Sequence, residues 1–289
     1  MKKIRYATEG ILLHILFTFF RILPPRTASG IGGWIGRSLG PKLAANRKAR
    51  RHIATCLPNL SSDEQDKVLI GMWDNLGRVI AEYPHLEKIG VEHTTIENQG
   101  RVEELLKTEQ PIVFFGGHIA NWEVNSIALL AQYDKPITLT YRAPNNPWTD
   151  RLLNKARTLD GRLSAYPKSP ESGRKILSAM RKNDAFGILI DQKYNEGVEV
   201  PFFGQPAMTN PIFVQLCQKF KCPLIPVKNV RLGGCEFRLT PYPPLKLFDS
   251  NDNPRPVEDV IKDAHTLLET WIKEHPEQWI WMHRRWMNT

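Results

Sequence analysis

Residues 111–124, PIVFFGGHIANWEV, decide how the chain is read. The opening PIVFF is a short apolar run of strand length and composition, Gly116 and Gly117 punctuate it, and a helix is expected over 121–133. Strand, glycine turn and helix in that order make the repeating unit of an α/β sheet. The pattern recurs downstream: strands are expected at 137–141, 163–166 and 186–190, with a strand pair inside 224–240 turned by Gly233-Gly234. Helices are expected at 101–109, 147–159, 171–182, 211–220 and 257–273, and residues 191–208 read as a long loop. Residues 43–100 look helical and pack on the same body. The expected architecture is α/β, a mixed central sheet flanked by helices over residues 43–289, behind an N-terminal membrane-anchoring helical segment over residues 1–42.

The charge pattern sets that first segment apart. The 289 residues carry 39 Lys and Arg against 30 Asp and Glu, a net of +9. Residues 1–60 hold 11 of the cations and a single acid, Glu9, so the remainder is close to neutral. A basic arm on a neutral body argues against nucleic acid, which needs a basic field on the body itself. The arm also carries the apolar run ILLHILFTFFRIL over residues 11–23, shorter than the roughly 20 residues of a clean membrane span. Trp34 follows on an apolar stripe with Ile31, Ile35 and Leu39, so the helix pair is expected to lie in or marginally cross an anionic leaflet, and if the first helix spans, the cations after it place the body on the cytoplasmic side. A buried N-terminal helix with a solvated basic face is the plainer alternative. Cys56, Cys217, Cys222 and Cys235 have no paired spacing, which points to a reduced compartment and no zinc site.

Reactive groups of α/β sheets gather beyond the C-terminal ends of strands. His118, Arg142 and Asp191 all fall there. His118 and Glu123 can meet if the histidine lies in the turn and Glu123 in the first turns of the helix. A carboxylate on one ring nitrogen fixes the tautomer and leaves the other nitrogen free as a base toward an attacking hydroxyl. Arg142 could stabilise an oxyanion or grip a phosphate, or simply pair with a structural carboxylate. Asn145 and Asn146 read as turn-formers. Asp191-Gln192 heads the loop DQKYNEGVEVPFFGQPAMTN, whose Phe202-Phe203 pair suits lipid or a pocket wall; the loop reads as a substrate cover or as an ordinary anchored loop. The C-terminal WIWMHRRW over residues 279–286 mixes tryptophan with arginine, a combination suited to stacking or to anionic lipid.

Taken together, GGHIANWE (His118, Asn121, Trp122, Glu123), YRAPNNP (Tyr141, Arg142, Asn146), DQ through VPFFG (Asp191, Gln192, Phe202, Phe203, Gly204), Thr209, PLIPV and PEQWIWMHRRW resemble, in order, the late acyltransferases of lipid A biosynthesis, the lauroyl/myristoyl transferases of Gram-negative bacteria. The resemblance spans residues 100–289, and the N-terminus is similar to the family's single membrane anchor. It implies a glycerolipid acyltransferase-like fold and transfer of a fatty acyl chain from acyl carrier protein to a hydroxyl of a Kdo-bearing lipid A precursor, at the cytoplasmic face of the inner membrane. No cofactor or metal is implied beyond the acyl carrier co-substrate. His118 and Glu123 would form the catalytic dyad, Arg142 would assist at an oxyanion or phosphate, and Asn121, Trp122, Asp191, Gln192, Phe202 and Phe203 would contact substrate. Carrier docking and anionic lipid compete to explain the cationic arm and Arg284-Arg285. Ile119 and Ala120 depart from the family, which often has an aromatic residue after the histidine and a glycine before the asparagine. The open alternatives are transfer to another membrane lipid, such as a phosphatidylinositol mannoside or glycerophospholipid, and a non-enzymatic lipid-binding protein.

Overall fold

The computed structural model describes residues 2–108, 110–133, 136–141, 143–167 and 170–286. Five α-helices come first: α1 (Lys2–Ile22), α2 (Pro25–Leu39), α3 (Ala45–Cys56), α4 (Ser62–Glu82) and α5 (Leu86–Glu92). The alternating part follows as β1 (Thr94–Ile96), α6 (Gln99–Lys107), β2 (Ile112–Gly116), α7 (Val124–Tyr133), β3 (Ile137–Tyr141), α8 (Pro147–Arg157), β4 (Ser164–Pro167), α9 (Pro170–Arg181) and β5 (Ala185–Leu189). A small hairpin, β6 (Val198–Phe202) and β7 (Gln205–Thr209), precedes α10 (Ile212–Phe220), β8 (Leu224–Gly233), β9 (Glu236–Pro241) and α11 (Val257–Glu274).

Seven strands form one mixed sheet in the order β1-β9-β8-β2-β5-β3-β4. Only the β8–β9 pair is antiparallel, so β2, β3, β4, β5 and β8 run one way and β1 and β9 the other. β2 lies between β8 and β5, and all five of its residues are buried, as a strand covered on both faces requires. That burial is why PIVFF reads as a continuous apolar run rather than an alternating one.

Two departures from the expected layout stand out. Residues 191–208 are not one loop: 198–202 and 205–209 pair as the separate hairpin, and Phe203 (φ 51°) and Gly204 (φ 69°) make its turn. Residues 94–96, inside the stretch expected to be helical, form an edge strand on β9, a segment too short to carry a periodic signal.

Helix ends follow local chemistry. Ser61 and Glu64 make a reciprocal capping box at the start of α4. Asn146 caps α8 through its side-chain oxygen, with Pro147 in the first turn, which bears out the turn-forming reading of that residue. Its amide also donates to the Tyr6 carbonyl at 2.9 Å, tying α8 to α1.

α2 packs against α4 at very short range. A Cβ added to Gly36 would sit 2.0 Å from the Trp73 carbonyl oxygen, and one added to Gly32 would sit 2.4 Å from that of Gly77. Phe20 and Ala28 bury against Ala81 in a small separate cluster. The outward side of α1 leaves Ile11, Leu12, Ile15, Leu16, Phe19 and Ile22 exposed, and Trp34 on α2 is 62 % exposed. No helix among the described residues is long and apolar enough to cross a membrane.

Candidate active site

The loop between β2 and α7 carries His118. Gly117 lets this loop approach β5: a Cβ there would lie 3.2 Å from Asp191 Oδ2. In the parallel register Gly116 faces Leu189, so His118 and Asp191, each two residues further on, arrive side by side past neighbouring strands. His118 Nδ1 donates to Asp191 Oδ1 at 2.6 Å, and the His118 backbone N–H donates to Oδ2 at 2.7 Å. Trp279 Nε1 donates to the same Oδ2 at 2.7 Å. Burial by itself would raise the Asp191 pKa, but the His118 ring and the hydrogen bonds from His118 and Trp279 outweigh it and hold the carboxyl well below the usual range. The carboxylate is therefore charged and fixed, and His118 Nε2 is left facing the cavity.

The expected hydrogen bond between His118 and Glu123 is replaced by this one. Glu123 turns to the other wall, where it accepts from Arg157 Nε and Nη2, both at 2.7 Å, and from Tyr83 at 2.5 Å. Burial opposes its ionisation, yet Arg157 and Tyr83 keep its pKa below the ordinary value. The partners of both groups come from elements distant in sequence, and spacing within 118–123 could not reveal them.

The turn itself is held from below. Ala120 adopts φ 54°, a left-handed conformation that costs a non-glycine residue roughly 1–2 kcal/mol. Its N–H donates to the Gln278 carbonyl at 2.9 Å and its carbonyl accepts from Asn75 at 3.0 Å, which fixes that conformation. Asn121, expected to touch substrate, is fully buried and supports the same loop: its amide donates to Glu82 at 2.8 Å and its oxygen accepts from the Glu123 N–H at 3.2 Å. Glu82 is paired in turn with the buried Arg231.

A cavity of about 340 Å³ lies beside His118, walled by the sheet, α7 and α8. Trp122, Glu123, Arg157, Gln192 and His283 line its polar end. Phe114, Leu129, Ile137, Leu139 and Leu189 supply apolar wall, Asn125, Ser126, Thr140 and Tyr141 add polar groups, and Gly187 sits level with Phe114 and Leu139 on the three adjacent strands. Gln192 Nε2 lies 3.0 Å from His118 Nε2 and 3.4 Å from His283 Nε2. Trp122 packs against the His118 ring at 5.0 Å between centroids.

Phe202 and Phe203 are absent from the cavity wall. Phe202 is fully buried among His265, Trp279 and Trp286, and Phe203 packs against Trp279 and Trp281. The C-terminal tryptophans 279, 281 and 286 are all buried, so they form core rather than a stacking surface. Arg285 is also buried, over the Phe202 ring, and only Arg284 of that pair reaches solvent. Arg142 lies outside the described residues; Arg157 is a cation that the structure does place on the cavity wall, and nothing in its sequence context marked it out. His283 was likewise one polar residue in an aromatic run.

His265 underlies this aromatic cluster. Its Nδ1 donates to the Pro201 carbonyl at 2.8 Å, and Nε2 lies 3.2 Å from both Thr209 Oγ1 and Arg285 Nη2. Burial, with the Arg285 charge second, pushes its pKa down to about 4. The unfolded chain takes up this proton near pH 6.5, so the stability that neutral His265 contributes is complete above that pH and is lost as the pH falls toward 4, on the order of 3 kcal/mol in all. Thermal melts across this window should show the wild-type midpoint falling with acid and a flatter limb for His265→Gln. An equally steep limb in the variant would place the acid sensitivity elsewhere.

His93, Cys235 and Glu236 bring one possible metal-ligand atom each within 4.8 Å of one another, on the side of the sheet where β9 meets β1. Glu236 there already accepts from His93 at 2.9 Å and from Arg26 at 2.8 Å, which supplies its counter-charge. These residues read as an ion-pair network, remote from the cavity.

A histidine held by a buried carboxylate, on the wall of a largely apolar cavity, is equipped to activate a hydroxyl beside a hydrophobic substrate. The bacterial lipid A biosynthesis acyltransferase model matches residues 1–288. The chain belongs to that family. It is similar to the lipid A biosynthesis palmitoleoyltransferase of Escherichia coli (strain K12), 23 % identical over 294 residues covering 97 % of this chain and 91 % of that protein. A lipid A biosynthesis acyltransferase of Shigella flexneri matches at the same 23 % identity and the same coverage. The protein is accordingly an acyltransferase of lipid A biosynthesis.

Proposed function

We propose that this acyltransferase moves a fatty acyl chain from acyl carrier protein to a hydroxyl of a Kdo-bearing lipid A precursor, with His118 as general base. The hydrogen bond from His118 Nδ1 to the buried Asp191 carries the reading, because it assigns the ring proton and leaves Nε2 as the acceptor facing the cavity. The acceptor hydroxyl gives its proton to Nε2 as its oxygen attacks the thioester carbon. Collapse of the tetrahedral intermediate expels the carrier thiol, which takes that proton back. Glu123 serves by anchoring Arg157, whose charge lies on the wall of the same cavity.

The apolar end of the cavity takes the acyl chain, and Gly187 keeps its middle open. A Cβ at Gly187 would come within 2.7 Å of a Leu139 methyl carbon. Gly187→Val should therefore shift acyl preference toward shorter chains, read by competing carrier thioesters of different length in one reaction. An unchanged product ratio would place the chain elsewhere.

The exposed apolar face of α1 and Trp34 support attachment to the cytoplasmic face of the inner membrane, in the interfacial manner. Exposed cations of the arm, with Arg284, suit an acidic carrier or anionic headgroups. The direct test incubates purified protein with a panel of acyl carrier thioesters and a tetra-acylated lipid A precursor and reads products by mass spectrometry. A mass increase of one acyl chain is expected; no product with any thioester would overturn the assignment of donor and acceptor.

A further inference from the structure

We propose that Gln192 is the oxyanion donor of the transfer reaction: its side-chain amide occupies the catalytic nitrogen in the free protein and turns one N–H to the thioester oxygen when the acceptor hydroxyl displaces it. The proposal rests on the reading of His118 as general base. With its Nδ1 proton on Asp191, His118 Nε2 is an acceptor, so the group 3.0 Å away must be a donor, and that group is Gln192 Nε2. The same amide nitrogen lies 3.4 Å from His283 Nε2.

An acceptor hydroxyl that hands its proton to His118 must occupy the place the amide now fills. The displaced N–H then lies beside the attacking oxygen, close to the carbonyl oxygen on which the negative charge develops. As the hydroxyl oxygen bonds to the thioester carbon, its proton passes to Nε2 and the carbonyl π pair moves onto oxygen, held by the Gln192 N–H. Return of that pair breaks the C–S bond, and the departing sulfur takes the proton from His118, leaving ester and thiol.

Two other donors on the cavity wall are engaged with Glu123. Trp122 Nε1 donates to Glu123 at 3.2 Å, and Arg157 directs Nε and Nη2 to Glu123. Gln192 also follows directly on Asp191, which is 2 % exposed and held by His118 and Trp279, so its backbone is set relative to the base. Such preorganisation is what an oxyanion donor needs.

Gln192→Met preserves length and removes the donor; Gln192→Glu preserves shape and also removes it. Both should lower kcat by about 10²- to 10³-fold, with KM within about threefold and unchanged thermal midpoints. A phosphonate analogue of the tetrahedral intermediate should lose affinity by the same factor as kcat, while an unreactive thioether analogue of the donor loses less than about threefold. A kcat for Gln192→Met within about threefold of wild type, or equal loss of both analogues, overturns the proposal. His118→Ala in the same series separates the two readings. If it abolishes transfer while the Gln192 variants keep it, only the oxyanion assignment falls; if it keeps transfer, the general-base reading falls as well.

Discussion

Asp191→Asn will lower kcat for acyl transfer by about 10³- to 10⁴-fold while leaving the protein folded, the scale seen when the orienting carboxylate of a histidine base is neutralised. The reason lies in the hydrogen bonds that converge on this side chain. Oδ2 accepts from the His118 backbone and from Trp279, so the asparagine oxygen will keep those donors and the amide will face His118 Nδ1. An amide there donates instead of accepting. The imidazole must then carry its proton on Nε2, and the nitrogen facing the cavity ceases to be a base. The loss should appear in kcat with donor KM little changed, and ¹⁵N shifts of His118 should report the switched tautomer. Loss confined to KM, or a retained Nδ1 proton, would show that Asp191 does not act through the ring. Glu123→Gln is a useful contrast, because its partners are Arg157 and Tyr83 and the tautomer of His118 should survive it.

Glu82→Gln should cost about 3–5 kcal/mol of folding stability, the scale for removing one partner of a buried ion pair. Glu82 is fully buried, and Arg231 is 9 % exposed with its guanidinium on both carboxylate oxygens. The same carboxylate accepts from Ser29 at 2.7 Å and from Asn121 at 2.8 Å, so it joins α2, α4, the β8–β9 hairpin and the loop that carries His118. Neutralising it leaves the Arg231 charge without a counter-ion in a site closed to water. Chemical denaturation should show the midpoint falling sharply, and Glu82→Met with Arg231→Met should recover much of the loss, since a well-packed apolar pair avoids the desolvation cost. A single-variant loss below about 1 kcal/mol would mean that solvent reaches the pair. Specific activity per folded molecule should also fall in Glu82→Gln, because Asn121 loses a charged acceptor.

Much of this organisation is legible from the chain. Apolar runs at 111–115 and 186–190 mark strands, glycine punctuation marks the turn, and the position of His118 and Asp191 beyond strand ends marks both as reactive candidates. Which carboxylate serves which cation was not legible. Glu123 is five residues from His118 and Asp191 is 73, yet the distant one makes the bond. Parallel strands are joined by crossovers, so lateral order is set by packing of whole βα units and leaves no trace in local periodicity. The β5 strand, contributed late in the chain, inserts beside β2 and brings Asp191 with it. The aromatic segments misled for a related reason: Phe202 and the three tryptophans look like surface chemistry in a polar, arginine-rich setting, but they bury one another.

The opening quotation therefore divides in two. By itself the sequence determined a buried strand, a glycine turn and then a helix, because backbone preference and apolar period act within a few residues; the helix begins at Val124 rather than Asn121, which leaves Glu123 in the turn. Only the tertiary structure decided that Asp191 holds His118, that Glu123 holds Arg157 and that Asn121 is a strut: buried charges are tolerable only beside their partners, and those partners are chosen by strand order across the sheet.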